Sequence, residues 1–273
     1  MVDPRGGFYG RRDGNDRLDP DAPKGAILNA RILWTFAAAY RILGKPEYLD
    51  MATRAKREII DRFYDPEFGG IYWSITADGK PLDTKKQFYA IGFAIYGLSE
   101  YARATGDTEA LDYAVRLFHD IERHSRDRRR GGYIEALSRE WQPLGDMRLS
   151  EKDANVAKTM NTHLHIIEPY TNLLRVWPNE ELREATVSLL RLFIDRFVAS
   201  GQRGHLGLFF DEDWTRTDGI ISYGHDIEAS WLMLETAQVL GDQQLLAETL
   251  GVTYRIAQAA LEGRCCDGSM VYE

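Results

Sequence analysis

The chain has 273 residues, enough for one large domain with a substantial core. Hydrophobic residues make up 44% and charged residues 28%, an ordinary balance for a soluble globular protein. With 42 Asp and Glu against 34 Lys and Arg the net charge is −8, which argues against a nucleic-acid partner, since such proteins present a basic face.

At the N-terminus, Asp3, Pro4 and Arg5 stand where a signal peptide would need an apolar run. No stretch approaches the ~18 apolar residues of a membrane span. The two cysteines, Cys265 and Cys266, are adjacent and give neither a disulfide framework nor zinc-ligand spacing. The expectation is a cytoplasmic protein with no membrane contact, no metal and no cofactor.

Along the chain a unit recurs. It opens on a glycine-aromatic turn, Gly6-Gly7-Phe8-Tyr9, and an apolar helix is predicted over 27–43. The break Gly44-Lys45-Pro46-Glu47 leads to an amphipathic helix over 48–64. The second unit repeats the order: Gly69-Gly70-Ile71-Tyr72-Trp73, a helix over 87–105, the break Gly106-Asp107-Thr108-Glu109 and a helix over 111–124. Within that last helix Leu111, Ala114, Val115, Leu117, Phe118 and Ile121 form one buried stripe. The basic run from Arg126 to Arg130 follows, read as a solvated helix end that suits the macrodipole.

The third unit has Gly131-Gly132-Tyr133-Ile134, helices over 162–177 and 182–198, and the break Pro178-Asn179-Glu180-Glu181. The fourth has Gly207-Leu208-Phe209-Phe210, helices over 227–240 and 245–261, and the break Gly241-Asp242-Gln243-Gln244. A fifth turn, Gly268-Ser269-Met270-Val271-Tyr272, ends the series. Spacings between Gly7, Gly70, Gly132, Gly207 and Gly268 are 63, 62, 75 and 61 residues. The long third period implies an insertion of about 13 residues within 138–158, where Pro143 and Gly145 interrupt a polar stretch.

Periods above 60 residues exceed those of open solenoids. Four helical hairpins with apolar inner and amphipathic outer helices fit an all-α toroid. Polar residues interrupting the inner helices (Asn29, Arg31, Gln87, Asn161, His165, His225 and Glu228) would line its cavity. The string Ser222-Tyr223-Gly224-His225-Asp226-Ile227-Glu228-Ala229-Ser230-Trp231 sets His225, Glu228 and Trp231 three apart, as neighbours on a helix surface. Asn161-Thr162-His163-Leu164-His165-Ile166-Ile167-Glu168 repeats the spacing with His165 and Glu168. Because residues two apart do not share a helix face, His163 is read as structural. His119 and His124 fall on an outer-helix pattern and His205 in a loop-like stretch, so these are structural readings too.

Asn29-Ala30-Arg31-Ile32-Leu33-Trp34, Asn161 to His165 and the Ser222 to Trp231 string resemble the N-acylglucosamine 2-epimerase superfamily, and within it the cellobiose branch. The resemblance implies a single (α/α)6 barrel domain over 1–273, with about eight of the family's twelve helices present and the chain truncated at both ends. It implies a metal-independent sugar 2-epimerase that interconverts glucose and mannose at the reducing end of cellobiose-type β-1,4 disaccharides. His225 matches a general acid/base, Glu228 the carboxylate that orients it, and His165 a histidine of ring opening. Arg31, Tyr89, Asn161 and Trp231 match positions around the sugar. A second catalytic histidine of the family, in a Tyr-His-Asn-like segment near its C-terminus, has no counterpart here.

Two rival expectations stand beside this one: an aldose–ketose isomerase on mannose-type sugars, and a catalytically incomplete sugar-binding fragment. The open ends of the ring should expose apolar surface. A complete relative is expected to be a monomer, and this chain to be weakly active and prone to association.

Overall fold

The computed structural model describes residues 1–151, 153–201 and 203–273. Among them are eight α-helices: α1 Ala26–Leu43, α2 Pro46–Glu58, α3 Phe88–Thr105, α4 Thr108–His124, α5 Met160–Leu174, α6 Glu180–Leu192, α7 Tyr223–Leu240 and α8 Gln243–Ala260. The odd-numbered helices pack side by side in chain order to make an inner layer, and each even-numbered helix backs its predecessor. This is an arc of an (α/α)6 toroid, not closed between α1 and α7 among the described residues.

Local chemistry explains the hairpins. Gly44, Gly106 and Gly241 each follow an inner helix with φ of 67°, 76° and 73°, the left-handed C-terminal position that glycine occupies without strain. Asp107, Asn179 and Asp242 then accept backbone N–H bonds as N-caps of α4, α6 and α8. Pro46 opens α2, where its missing N–H costs nothing. α2 and α6 both run on into π-helical turns, Ile59–Phe63 and Phe193–Val198, which keep Ile59, Phe63, Phe193 and Phe197 in the core.

The inner layer approaches closely at α3. A side chain on Gly97 would meet the Ala30 carbonyl of α1 at 2.8 Å, and one on Gly92 would meet the His165 carbonyl of α5 at 2.1 Å. At the arc's ends Ile42 and Leu43 of α1, Ile227 and Trp231 of α7, and Leu250 and Tyr254 of α8 are exposed, as an open ring requires.

Between hairpins, short antiparallel strands tie each turn to the next inner helix. Lys24–Gly25 pairs with Ser74–Ile75, Lys86–Gln87 with Ala136–Leu137, and Lys158–Thr159 with Phe209–Phe210. The first strand of each pair carries a fully buried lysine two residues ahead of its helix. Lys24 meets Asp3 at 3.2 Å, while Lys86 meets Asp65 and Lys158 meets Asp127 at 2.9 Å. These cations also sit under aromatic rings: Lys86 under Tyr72 and Lys158 under Trp214, both at 4.8 Å.

Two sequence expectations change. The run from Arg126 to Arg130 is more than a solvated helix end. Its Asp127 accepts from the Arg129 and Arg130 amides and holds Lys158, while Arg126 pairs with Glu122. The fourth turn is also registered on His205 and not on Gly207. The Gly207 amide bonds to the Phe197 carbonyl as Tyr72 does to Phe63, which puts His205 where Gly70 stands.

Candidate functional site

The four inner helices converge on a cleft of about 390 Å³ lined by Arg31, Trp34 and Thr35 of α1, Phe93 and Tyr96 of α3, His165 and Glu168 of α5, and Glu228 and Trp231 of α7. The N-terminal ends of α5 and α7 border a smaller pocket of about 90 Å³ with Asn161, His225, Tyr272 and the loop residues Met147, Arg148 and Leu149. That loop belongs to the insertion expected within 138–158. It is held over the site by Gln87, whose amide nitrogen donates to the Met147 and Arg148 carbonyls at 3.0 Å.

His165 is the centre of the larger cleft. Its Nδ1 lies 3.0 Å from Glu168 Oε2, and its Nε2 lies 3.9 Å from Glu228 Oε1. Tyr89 meets the ring edge-on and Phe93 lies tilted against it, each with centroids 4.8 Å away. Arg31 sits over Phe93 at 4.5 Å and extends Nη2 to 3.4 Å from the Tyr89 hydroxyl. Burial pushes the Tyr89 hydroxyl up to about 12, so it is a neutral donor at physiological pH.

Glu228 has its proton affinity raised, chiefly by burial, with the like charge of Glu168 adding and His165 and Arg31 opposing. Burial moves His225 the other way. Its pKa falls below the ordinary histidine value, helped by repulsion from His165, so the ring is a neutral base near pH 7.

The expected orienter of His225 was Glu228. Instead, His225 Nδ1 is hydrogen bonded to Ser222 Oγ at 2.8 Å, and the histidine recorded beside Glu228 is His165. His225 lies at the first turn of α7, and helical side chains lean toward the N-terminus, where Ser222 is the N-cap. Glu228, one turn on, leans across toward α5.

Other expected positions divide. Arg31 and Trp231 line the cleft with His165 and Glu228, and Tyr89 closes on them from α3. Asn161 borders the smaller pocket with a buried Oδ1 that has no partner among the described residues, an acceptor available to a hydroxyl. Asn29 and Gln87 do not line the cavity: Asn29 is buried and donates to the Gly25 carbonyl, and Gln87 secures the loop.

The structural histidines hold. His163 is fully buried; its Nδ1 faces the Thr159 carbonyl at 2.6 Å and its Nε2 accepts from the Tyr133 amide. His124 stacks flat on Trp141, and His119 is an exposed neighbour of Trp177.

Sequence reasoning missed Glu168, Phe93 and Tyr96 as cleft residues. The spacing of His165 and Glu168 was the available signal for Glu168. The two aromatics read as ordinary core residues of an apolar helix. Among the described residues no cluster of three or more His, Cys, Asp or Glu could hold a metal ion, and no helix is long and apolar enough to cross a membrane.

Comparison with known proteins places this arrangement. The family model described as N-acylglucosamine 2-epimerase (GlcNAc 2-epimerase) matches residues 7–272. The chain is 62% identical to cellobiose 2-epimerase of Bacteroides fragilis over 274 residues, spanning 100% of this chain and 70% of that one. It is 43% identical to cellobiose 2-epimerase of Ruminococcus albus, over 95% of this chain and 67% of the relative. Among solved structures, cellobiose 2-epimerase from Bacillus thermoamylovorans superposes with a TM-score of 0.92 at 38% identity, covering 99% of this chain and 69% of that one. A D-mannose isomerase superposes with a TM-score of 0.84 at 19% identity, a likeness of fold.

Proposed function

The chain belongs to the N-acylglucosamine 2-epimerase family, and from that premise we propose that it is a carbohydrate epimerase acting at C2 of the reducing-end glucose of cellobiose-type β-1,4 disaccharides. The observation that carries the reading is the convergence of His165, Glu228 and Arg31 in one cleft, with a neutral His225 bordering the adjoining pocket.

The chemistry follows from what inversion at C2 demands. The ring opens to an aldehyde, the α-proton leaves to a base, and the electron pair moves onto O1 as an enediolate. Inversion then requires a second acid to deliver a proton to the opposite face of C2. A neutral imidazole suits the first transfer, and burial lowers the pKa of His225 in favour of that form. Ser222 holds that ring by its Nδ1, leaving Nε2 to face the sugar.

Charge developing on O1 and O2 needs preorganised donors, supplied by the Arg31 guanidinium and the Tyr89 hydroxyl. His165 and Glu228 bind the hydroxyls exchanged in ring opening. Trp231, half exposed, offers a flat apolar face to the sugar.

Incubation with cellobiose, followed by NMR of the products, tests the reading. Glucosyl-mannose is the expected product. A ketose would indicate aldose–ketose isomerisation instead, and unchanged cellobiose with saturable binding would reduce the cleft to a sugar-binding site.

A further inference from the structure

We propose that Glu168 is a positioning residue for His165: it fixes the imidazole as the Nδ1–H tautomer and so aims a bare Nε2 at the cleft. The proposal rests on the reading that His165 works on the sugar, but its geometry stands independently.

An ionised carboxylate only accepts hydrogen bonds. With Glu168 Oε2 at 3.0 Å from Nδ1, that nitrogen carries the proton and Nε2 keeps its lone pair. Nε2 then faces Glu228 at 3.9 Å, beyond direct hydrogen bonding. A sugar hydroxyl entering there donates to Nε2.

Everything around the pair limits its movement. The ring lies between Tyr89 and Phe93, and Tyr96, whose ring stacks on Trp34 at 5.1 Å, lines the cleft beside Glu168. Below the ring, Pro169 inside α5 has no N–H to give the His165 carbonyl four residues back. Gly92 of α3 packs against that freed carbonyl and locks the backbone that carries the imidazole.

The other two inner-helix histidines show why this partner matters. His163 has the same tautomer, set by the Thr159 carbonyl, but its Nε2 is consumed by the Tyr133 amide. His225 has a serine hydroxyl on Nδ1, which can donate or accept and fixes no tautomer. Of the three, His165 combines a fixed tautomer with a nitrogen facing the cleft.

Long-range ¹H–¹⁵N NMR of ¹⁵N-histidine-labelled full chain reads the tautomer directly, with His165 assigned by difference against His165→Gln. Wild type should show His165 as Nδ1–H at pH 7.5. Glu168→Leu should shift it to the Nε2–H form that free imidazoles favour. Glu168→Gln, whose amide oxygen still accepts, should keep part of the Nδ1–H population and part of the activity. Circular dichroism and a cooperative melt establish that each variant folds.

On cellobiose, Glu168→Leu should lose roughly 10- to 100-fold in kcat with a smaller change in KM, the scale for losing an outer partner that orients a histidine. An Nε2–H tautomer in wild type, or a tautomer unmoved in Glu168→Leu, overturns the proposal. A tautomer that shifts while turnover is unchanged upholds the pairing and overturns the catalytic reading of His165.

Discussion

His205 and Asp226 form a buried pair, with His205 Nδ1 2.7 Å from Asp226 Oδ2 and both side chains 1% exposed. Asp226 also accepts the Leu206 amide, so the fourth turn is fastened to the start of α7. The first three inner helices are anchored by lysine on the helix side and aspartate on the turn side. At α7 the polarity is reversed, with the acid on the helix and a histidine on the turn. The residue preceding Asp226 is His225, so this anchor fixes the helix turn that presents the proposed base.

Breaking this pair from one side strands a buried group. His205→Ala should therefore destabilise the fold by about 3 kcal/mol, the scale for an uncompensated buried charge. Adding Asp226→Ala to it should recover part of that loss. Chemical denaturation of the two single variants and the double variant measures the coupling. Strictly additive losses would show that the pair is not an anchor.

His163 makes stability acid-sensitive. Burial lowers its pKa to about 3, from an ordinary value near 6.5. Between those values the unfolded chain takes up a proton that the folded chain refuses, so stability falls as pH falls. From pH 7 to pH 5 this one group accounts for roughly 2 kcal/mol. Urea unfolding at the two pH values should show that component in wild type and its loss in His163→Gln.

Two glycine substitutions should act in opposite directions. Gly92→Ala drives a methyl into the His165 carbonyl and must separate α3 from α5, costing roughly 1–3 kcal/mol. Gly251→Ala lies on the exposed face of α8, where an added Cβ meets nothing closer than 3.8 Å. It should stabilise by about 0.5–1 kcal/mol through helix propensity. Thermal melts of both variants test the claimed close approach, and a harmless Gly92→Ala would refute it.

The lowered pKa of His225 sets a pH profile. A depressed value means that the ring binds a proton only in more acid solution, so the base form persists below the ordinary histidine range. kcat/KM on cellobiose should stay level on descending from pH 8 and fall only below about 6.5. A fall beginning above pH 7 would assign the limb to another group.

Much of the fold was legible because its signals are local. Gly44, Gly106 and Gly241 mark helix ends by backbone freedom, and Asp107, Asn179 and Asp242 mark helix starts by capping. The stripe through α4 reports its buried face within a few turns. Arg31, His165, Glu228 and Trp231 could be placed together because four inner helices each present one face to a shared axis.

What escaped depends on distant partners or on side-chain direction. Nothing local marks Lys24, Lys86 and Lys158 for burial, because their partners Asp3, Asp65 and Asp127 stand on turns distant in sequence. Ser222 and Glu228 both stand three residues from His225, and spacing alone does not choose between them. The lean of the helical side chain does. His205 occupies a glycine's place in the fourth turn, so the glycine pattern points to Gly207 instead.

The central claim is that His225 removes the C2 proton, and proton–deuterium exchange at C2 of cellobiose in heavy water tests it most directly. NMR should show the C2 proton signal disappearing with this chain and persisting with His225→Ala, whether or not mannose accumulates. Exchange that continues undiminished in the variant, or that is absent from both proteins, would contradict the assignment of His225 as the base.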